Sequence, residues 1–167
     1  SWGGIGFLWN KAVAFIFIRP ERYTYEFIEK NDMLTLSFLG SGNRSIYNIC
    51  GSKSGRDTDK IKESGLLPLT TPDGNVTFEQ ARLTLECRKL YGQLLSPEHF
   101  IDKSLPDKWY GAQGNFHKVY VVEILKVWEK KAVQYSHSRI RKVYKASVSP
   151  NRHIPIRSDT LQTLRIL

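Results

Sequence analysis

Three short stretches of this chain carry residues whose types and spacing suit chemistry on a ligand. In Arg19-Pro20-Glu21-Arg22-Tyr23-Thr24, a strand end delivers a guanidinium and a hydroxyl to the first turn of a helix. Backbone N–H groups are unpaired there and the helix dipole is positive, so the stretch can hold an anion such as a phosphate. Read alone, it also fits Thr24 as a simple cap with Arg22 solvated. Cys50-Gly51-Ser52-Lys53-Ser54-Gly55-Arg56-Asp57-Thr58-Asp59-Lys60 combines hydroxyls, cations and glycines ahead of a second helix, but lacks the G-x-x-x-x-G-K-[ST] spacing of a P-loop. There Asp57 can serve as an N-cap, and Lys53 and Lys60 as solvated charges. Ser1-Trp2-Gly3-Gly4-Ile5-Gly6 has small residues that let backbone approach a flat ligand, or that form a Gly-rich turn. It is not G-x-G-x-x-G, and a Rossmann dinucleotide site is not expected. No triad, paired carboxylates or metal-ligand cluster stands out, and no metal is expected.

The elements that must position these residues follow from hydrophobic period. Lys11 to Ile18 is a Val/Ile/Phe-rich run closed by Arg19-Pro20, which predicts a fully buried strand. Glu21 to Lys30 pairs Tyr23 with Phe27 and Thr24 with Ile28 one turn apart, a short helix. Met33 to Leu39 alternates Leu34, Leu36 and Phe38 with Thr35 and Ser37, a half-buried strand. Helices are expected over Asn43 to Cys50 and Asp57 to Ser64, with Gly65 as a C-cap and Pro72-Asp73-Gly74-Asn75 as a turn. Long strands are expected over Ala81 to Leu90, with Arg82, Thr84 and Glu86 on its polar side, and over Phe116 to Val127. Ser96 to Tyr110, with Pro97 and Pro106, reads as an inserted excursion between them. The pattern predicts a small β-barrel decorated by helices.

A length of 167 residues suits one domain with its own core. Cys50 and Cys87 fit neither a zinc site nor a disulfide framework, and a reducing, cytoplasmic setting is expected. The longest apolar run, Ala12 to Ile18, is far short of the roughly 20 residues of a membrane helix. Of 25 Lys/Arg and 16 Asp/Glu, seven and one lie in residues 133–167, so this tail holds +6 of the net +9 and the first 132 residues only +3. The charge belongs to an appendage, and nucleic acid is not the expected partner of the folded part; a tail-borne nucleic-acid binder would show salt-sensitive binding. The tail has no sustained period and is expected to be a flexible or non-native basic extension.

In order along the chain, SWGGIGFLWNK, VAFIFIRPERYTYEFIEKN, YNICGSKSGRDTDK, FEQARLTLECRKLY and NFHKVYVVEI resemble the flavin reductase-like family over about residues 1 to 128. The resemblance implies a mainly β fold with short helices, the FMN-binding split β-barrel, over residues 1–132, and a homodimer. The family has further residues upstream, so the domain is expected to be N-terminally incomplete. The resemblance implies that Ser1, Trp2, Arg22 and Thr24 hold FMN, with Ser54, Gly55 and Lys60 as additional contacts. It places His117 near the flavin ring, as the catalytic candidate that orients substrate or polarises a group; a lone His at a strand start is otherwise a hydrogen-bonded structural residue. The implied activity is hydride transfer from NAD(P)H to flavin. A flavoredoxin-like electron carrier with a protein acceptor is the alternative.

Overall fold

In a computed structural model the described residues are 2–130 and 144–146. They form eight strands and four α-helices: β1 (Trp2–Leu8), β2 (Lys11–Ile18), α1 (Tyr23–Lys30), β3 (Met33–Phe38), α2 (Arg44–Ser52), α3 (Lys60–Ser64), β4 (Pro68–Thr70), β5 (Val76–Phe78), β6 (Leu83–Leu94), α4 (Ser104–Trp109), β7 (Lys118–Lys130) and β8 (Tyr144–Ala146). The main sheet is antiparallel in the order β1-β2-β7-β6-β3, with β8 pairing the far end of β7 and β4-β5 forming a separate hairpin. This is the expected mainly β fold with short helices.

The expectation for residues 133–167 lies outside the described residues, except at β8, where Tyr144, Lys145 and Ala146 pair with Lys130, Glu129 and Trp128. No helix among the described residues is long and apolar enough to cross a membrane.

Ser1 also lies outside the described residues. The stretch that follows it is a strand rather than a Gly-rich turn. Gly3 faces Ile16 of β2, and a Cβ on it would stand 2.3 Å from the Phe15 carbonyl oxygen. Close strand packing therefore dictates that glycine. β1 and β2 join through Trp9 and Asn10, both at positive φ (51° and 57°), a two-residue connection of the primed kind that matches strand twist.

The core gathers Ala14, Ile16 and Ile18 of β2, Leu36 of β3, Leu85 and Cys87 of β6, and Tyr120 and Val122 of β7, closed on one side by Ile28 of α1. The C-terminal end of α1 is fixed. There Lys89 Nζ donates to the Ile28 carbonyl at 2.6 Å, which offsets the negative end of the dipole. Lys118 Nζ (2.8 and 2.9 Å) and Tyr120 OH (2.6 Å) donate to the Glu29 carboxylate. These bonds hold the Glu29 carboxyl below its usual range, while burial and the carboxylate push the Tyr120 phenol up.

One sequence expectation is corrected. The helix expected from Asp57 begins at Lys60, and its cap is Asp59, whose carboxylate accepts from Lys62 N at 3.1 Å. Asp59 wins because its side chain reaches the N–H three residues on. The polar side of β6 is not solvated: Thr84 and Glu86 are buried, as is Ser37 of β3, because the β4-β5 hairpin covers that face. Thr77 of β5 bonds both Ser37 Oγ (3.2 Å) and Thr84 Oγ1 (2.6 Å). Gly65 is the left-handed C-cap expected of it (φ 68°).

Candidate functional site

A cleft of about 540 Å³ opens where four segments meet: the β1-β2 edge, the start of α1, the 50–60 loop, and the end of the 96–117 excursion. That volume is within the roughly 300–1,000 Å³ typical of small-molecule sites. Trp2, Arg22, Thr24, Ser54, Gly55, Lys60 and His117 all line it, so the described residues singled out in the sequence converge in one place.

One end of the cleft is built for an anion. Arg22 is the N-cap of α1 and makes no side-chain capping bond; its N–H is bonded to the Arg19 carbonyl, and the Tyr25 N–H to its own. The Tyr23 and Thr24 N–H groups have no backbone acceptor among the described residues, and no described residue pairs with the Arg22 guanidinium or the Thr24 hydroxyl. The reading of Thr24 as a helix cap is corrected: Thr24 sits inside the first turn, past the cap position. Lys60 Nζ is held at the rim by the Cys50 carbonyl (2.9 Å), and Ser54 Oγ accepts from Arg56 N (3.2 Å).

The loop itself is strapped to α1 by Arg56, a residue the sequence did not single out. Its guanidinium donates to the Glu21 carbonyl at 2.8 Å, pairs with Glu26 and lies over the Tyr23 ring at 5.2 Å. Gly55 belongs to this strap. A Cβ there would meet Tyr23 Cδ1 at 2.8 Å, so its smallness serves the loop-helix contact.

The other end is aromatic. Trp2 stacks on His117 (centroids 4.9 Å, planes 29° apart) and meets Trp109 edge-on at 5.0 Å. Behind His117, Tyr110 places its hydroxyl 2.8 Å from Nδ1 and packs on Phe116 at 4.4 Å. Arg19 ties this excursion to the end of β2, donating to the Trp109 carbonyl at 2.6 Å and lying over the Tyr110 ring at 5.2 Å. Asn115 donates to the Glu21 carboxylate from the same side. Burial, then the Arg19 charge, lower the His117 pKa from its ordinary 6.5, so the imidazole is neutral near pH 7.

Trp109 and Tyr110 escaped the sequence reading because two prolines break every period in the excursion, and Arg19 was read only as the close of a strand. The signal that could have found them is its aromatic density, Trp109-Tyr110 followed by Phe116-His117. Among the described residues no three His, Cys, Asp or Glu side chains converge as metal ligands.

A predominantly antiparallel sheet carries a cation-rich, aromatic-walled cleft beside its edge strand, and its fold is that of the split barrels. A sequence model of the flavin reductase like domain matches residues 11–144, and the chain belongs to that family. Among solved structures, the FMN-binding protein from Thermus thermophilus with bound 1-cyclohex-2-enone is 23% identical, with a TM-score of 0.56 over 77% of this chain and 59% of that one. Flavoredoxin from Methanosarcina acetivorans is 16% identical at a TM-score of 0.58, covering 94% of this chain and 79% of that chain. Nitrilotriacetate monooxygenase component B from Bacillus cereus is 10% identical at 0.60, covering 92% and 77%. The chain thus spans about three fifths of the Thermus protein. No curated protein matches it.

Proposed function

We propose that the cleft binds FMN and that the protein is an oxidoreductase accepting a hydride from NAD(P)H. One observation carries this reading: a guanidinium without a partner among the described residues and two free helix N–H groups at one end of a cleft whose other end is walled by Trp2, Trp109 and His117. That donor set suits a molecule with a phosphate dianion at one end and a flat ring at the other. Arg22, the N–H groups of Tyr23 and Thr24, and the Thr24 hydroxyl would grip the phosphate, with Lys60 and Ser54 along its rim. The aromatic wall would face the ring, and His117 would orient the nicotinamide partner beside it.

FMN, when bound, supplies the two-electron acceptor, and the protein supplies orientation and a dry wall. A nucleophile or strong base is not required of the chain. The test is the visible spectrum of the purified protein before and after FMN, then after NAD(P)H. A shifted, protein-bound flavin band that bleaches with NAD(P)H is expected; free-flavin spectra throughout would end the reading. A bound band that bleaches only with a protein electron donor would favour the flavoredoxin-like carrier.

A homodimer is part of the same proposal. β1 pairs only β2 among the described residues, and Ile5 and Phe7 on it and Trp9 in the turn that follows are exposed, Phe7 at 72%. Such an edge invites a second copy. Light scattering at the mass of two chains is expected, and a monomer at all concentrations would refute it.

A further inference from the structure

We infer that Tyr110 is a positioning residue that holds His117 in the neutral tautomer carrying its proton on Nε2, so that the imidazole meets a ligand in the cleft as a hydrogen-bond donor. Tyr110 does not line the cleft. It acts through the ring in front of it.

The Tyr110 hydroxyl lies 2.8 Å from His117 Nδ1, a contact in which either atom can be the donor depending on the tautomer. A phenol carries one proton, and among the described residues its only hydrogen-bond partner is Nδ1. If Nδ1 were the donor, the phenolic proton would face no acceptor among the described residues. If the phenol donates, both atoms are satisfied at once. Nδ1 is then the lone-pair nitrogen, and a neutral imidazole must carry its proton on Nε2.

The groups around the ring keep it neutral. Arg19 from the end of β2 and Arg22 from the start of α1 oppose a positive charge on it, and Glu21 alone favours one. Trp2 covers one face and Tyr110 meets the ring edge-on, so the ring lies in a slot rather than in water. Phe116 and Phe100 pack on Tyr110 (4.4 and 6.2 Å) and fix the phenol where Nδ1 needs it.

The chemical consequence concerns which ligand atom the cleft recognises. An Nε2–H donor selects a carbonyl or carboxamide oxygen and polarises it, whereas a lone pair at Nε2 would act as a base toward an acidic proton. This inference rests on the proposed function for its ligand, but the tautomer itself belongs to the free protein.

The deciding measurement is therefore made without flavin. In the full chain labelled with ¹⁵N-histidine, the His117 pair is assigned by its loss in His117→Gln. At neutral pH a pyrrole-type signal for Nε2 and a pyridine-type signal for Nδ1 are expected. Tyr110→Phe, which keeps the ring contacts, should move both signals toward the average of the two tautomers. A pyrrole-type Nδ1, an imidazolium, or signals unchanged by Tyr110→Phe would overturn the inference. In the second arm, FMN affinity should stay within about twofold in Tyr110→Phe while kcat for NAD(P)H oxidation falls at least about tenfold. Equal kcat in the two proteins would refute the positioning role. Failure of both proteins to bind FMN would refute the proposed function and leave the tautomer result standing.

Discussion

Arg22 is where the anion reading can be tested one side chain at a time. It has no partner among the described residues, so removing it breaks no internal contact. Arg22→Ala should leave the unfolding midpoint nearly unchanged and weaken FMN by about 10- to 100-fold, the loss of one charge-assisted bond of about 1.5–3 kcal/mol. Fluorescence titration of FMN measures it, and unchanged affinity would move the phosphate elsewhere. Gly55 behaves in the opposite way. Its φ is ordinary, yet a Cβ would press on Tyr23, which is itself wedged between Phe27 (4.8 Å) and Arg56. Gly55→Ala should destabilise the fold by about 1–3 kcal/mol in denaturant titration, as overpacking does. Both positions were legible in the sequence as site residues. Arg22 lies in the cleft at the start of α1, where its spacing put it, but nothing in a string of letters distinguishes a glycine that admits a ligand from one that admits a neighbouring tyrosine. Tyr110 was illegible for a related reason, since its importance lies in meeting His117 across a loop.

At the scale of elements, apolar period was enough for β2, α1, β3 and the two long strands, each found within a few residues of its expected bounds. It failed for the β4-β5 hairpin, whose three-residue strands are too short to show a period. That failure had a consequence, because the hairpin buries the side of β6 that reads as polar. Glu86, 1% exposed, accepts from Asn75 Nδ2 (3.0 Å) and Trp128 Nε1 (2.7 Å) and also bonds the Thr71 hydroxyl. One carboxylate thus clasps the hairpin turn to β7. Glu86→Ala would strand three donors at once, two of them on the buried residues Thr71 and Trp128. A loss of about 3 kcal/mol or more is expected. Increased amide exchange should be concentrated in residues 68–78, and protection unchanged there would show that apolar packing alone holds the hairpin.

For the whole molecule, net charge says less about acid stability than individual groups whose pKa the fold shifts, His117 and Glu29 among them. His117 has its pKa lowered below 6.5, so below about pH 6.5 the unfolded chain binds a proton that the folded chain resists. Its contribution is complete above that pH and is lost as pH falls toward the folded value. Glu29 has its pKa lowered below 4.5 by the bonds from Lys118 and Tyr120, so its contribution is present above about pH 4.5 and is lost below it. The two windows should appear as successive declines in the denaturant midpoint from about pH 8 to about pH 3. They separate by substitution. His117→Gln should flatten the first decline and spare the second, because the α1 clasp does not involve it, whereas Glu29→Gln should spare the first and lessen the second, which Glu123, held down by Lys11 and Arg88, shares. A midpoint that stays level from about pH 8 to about pH 5 in the unsubstituted protein would mean that His117 titrates as an exposed histidine. That result would dismantle the slot formed by Trp2, Tyr110 and Arg19, and with it the link between the excursion and the cleft.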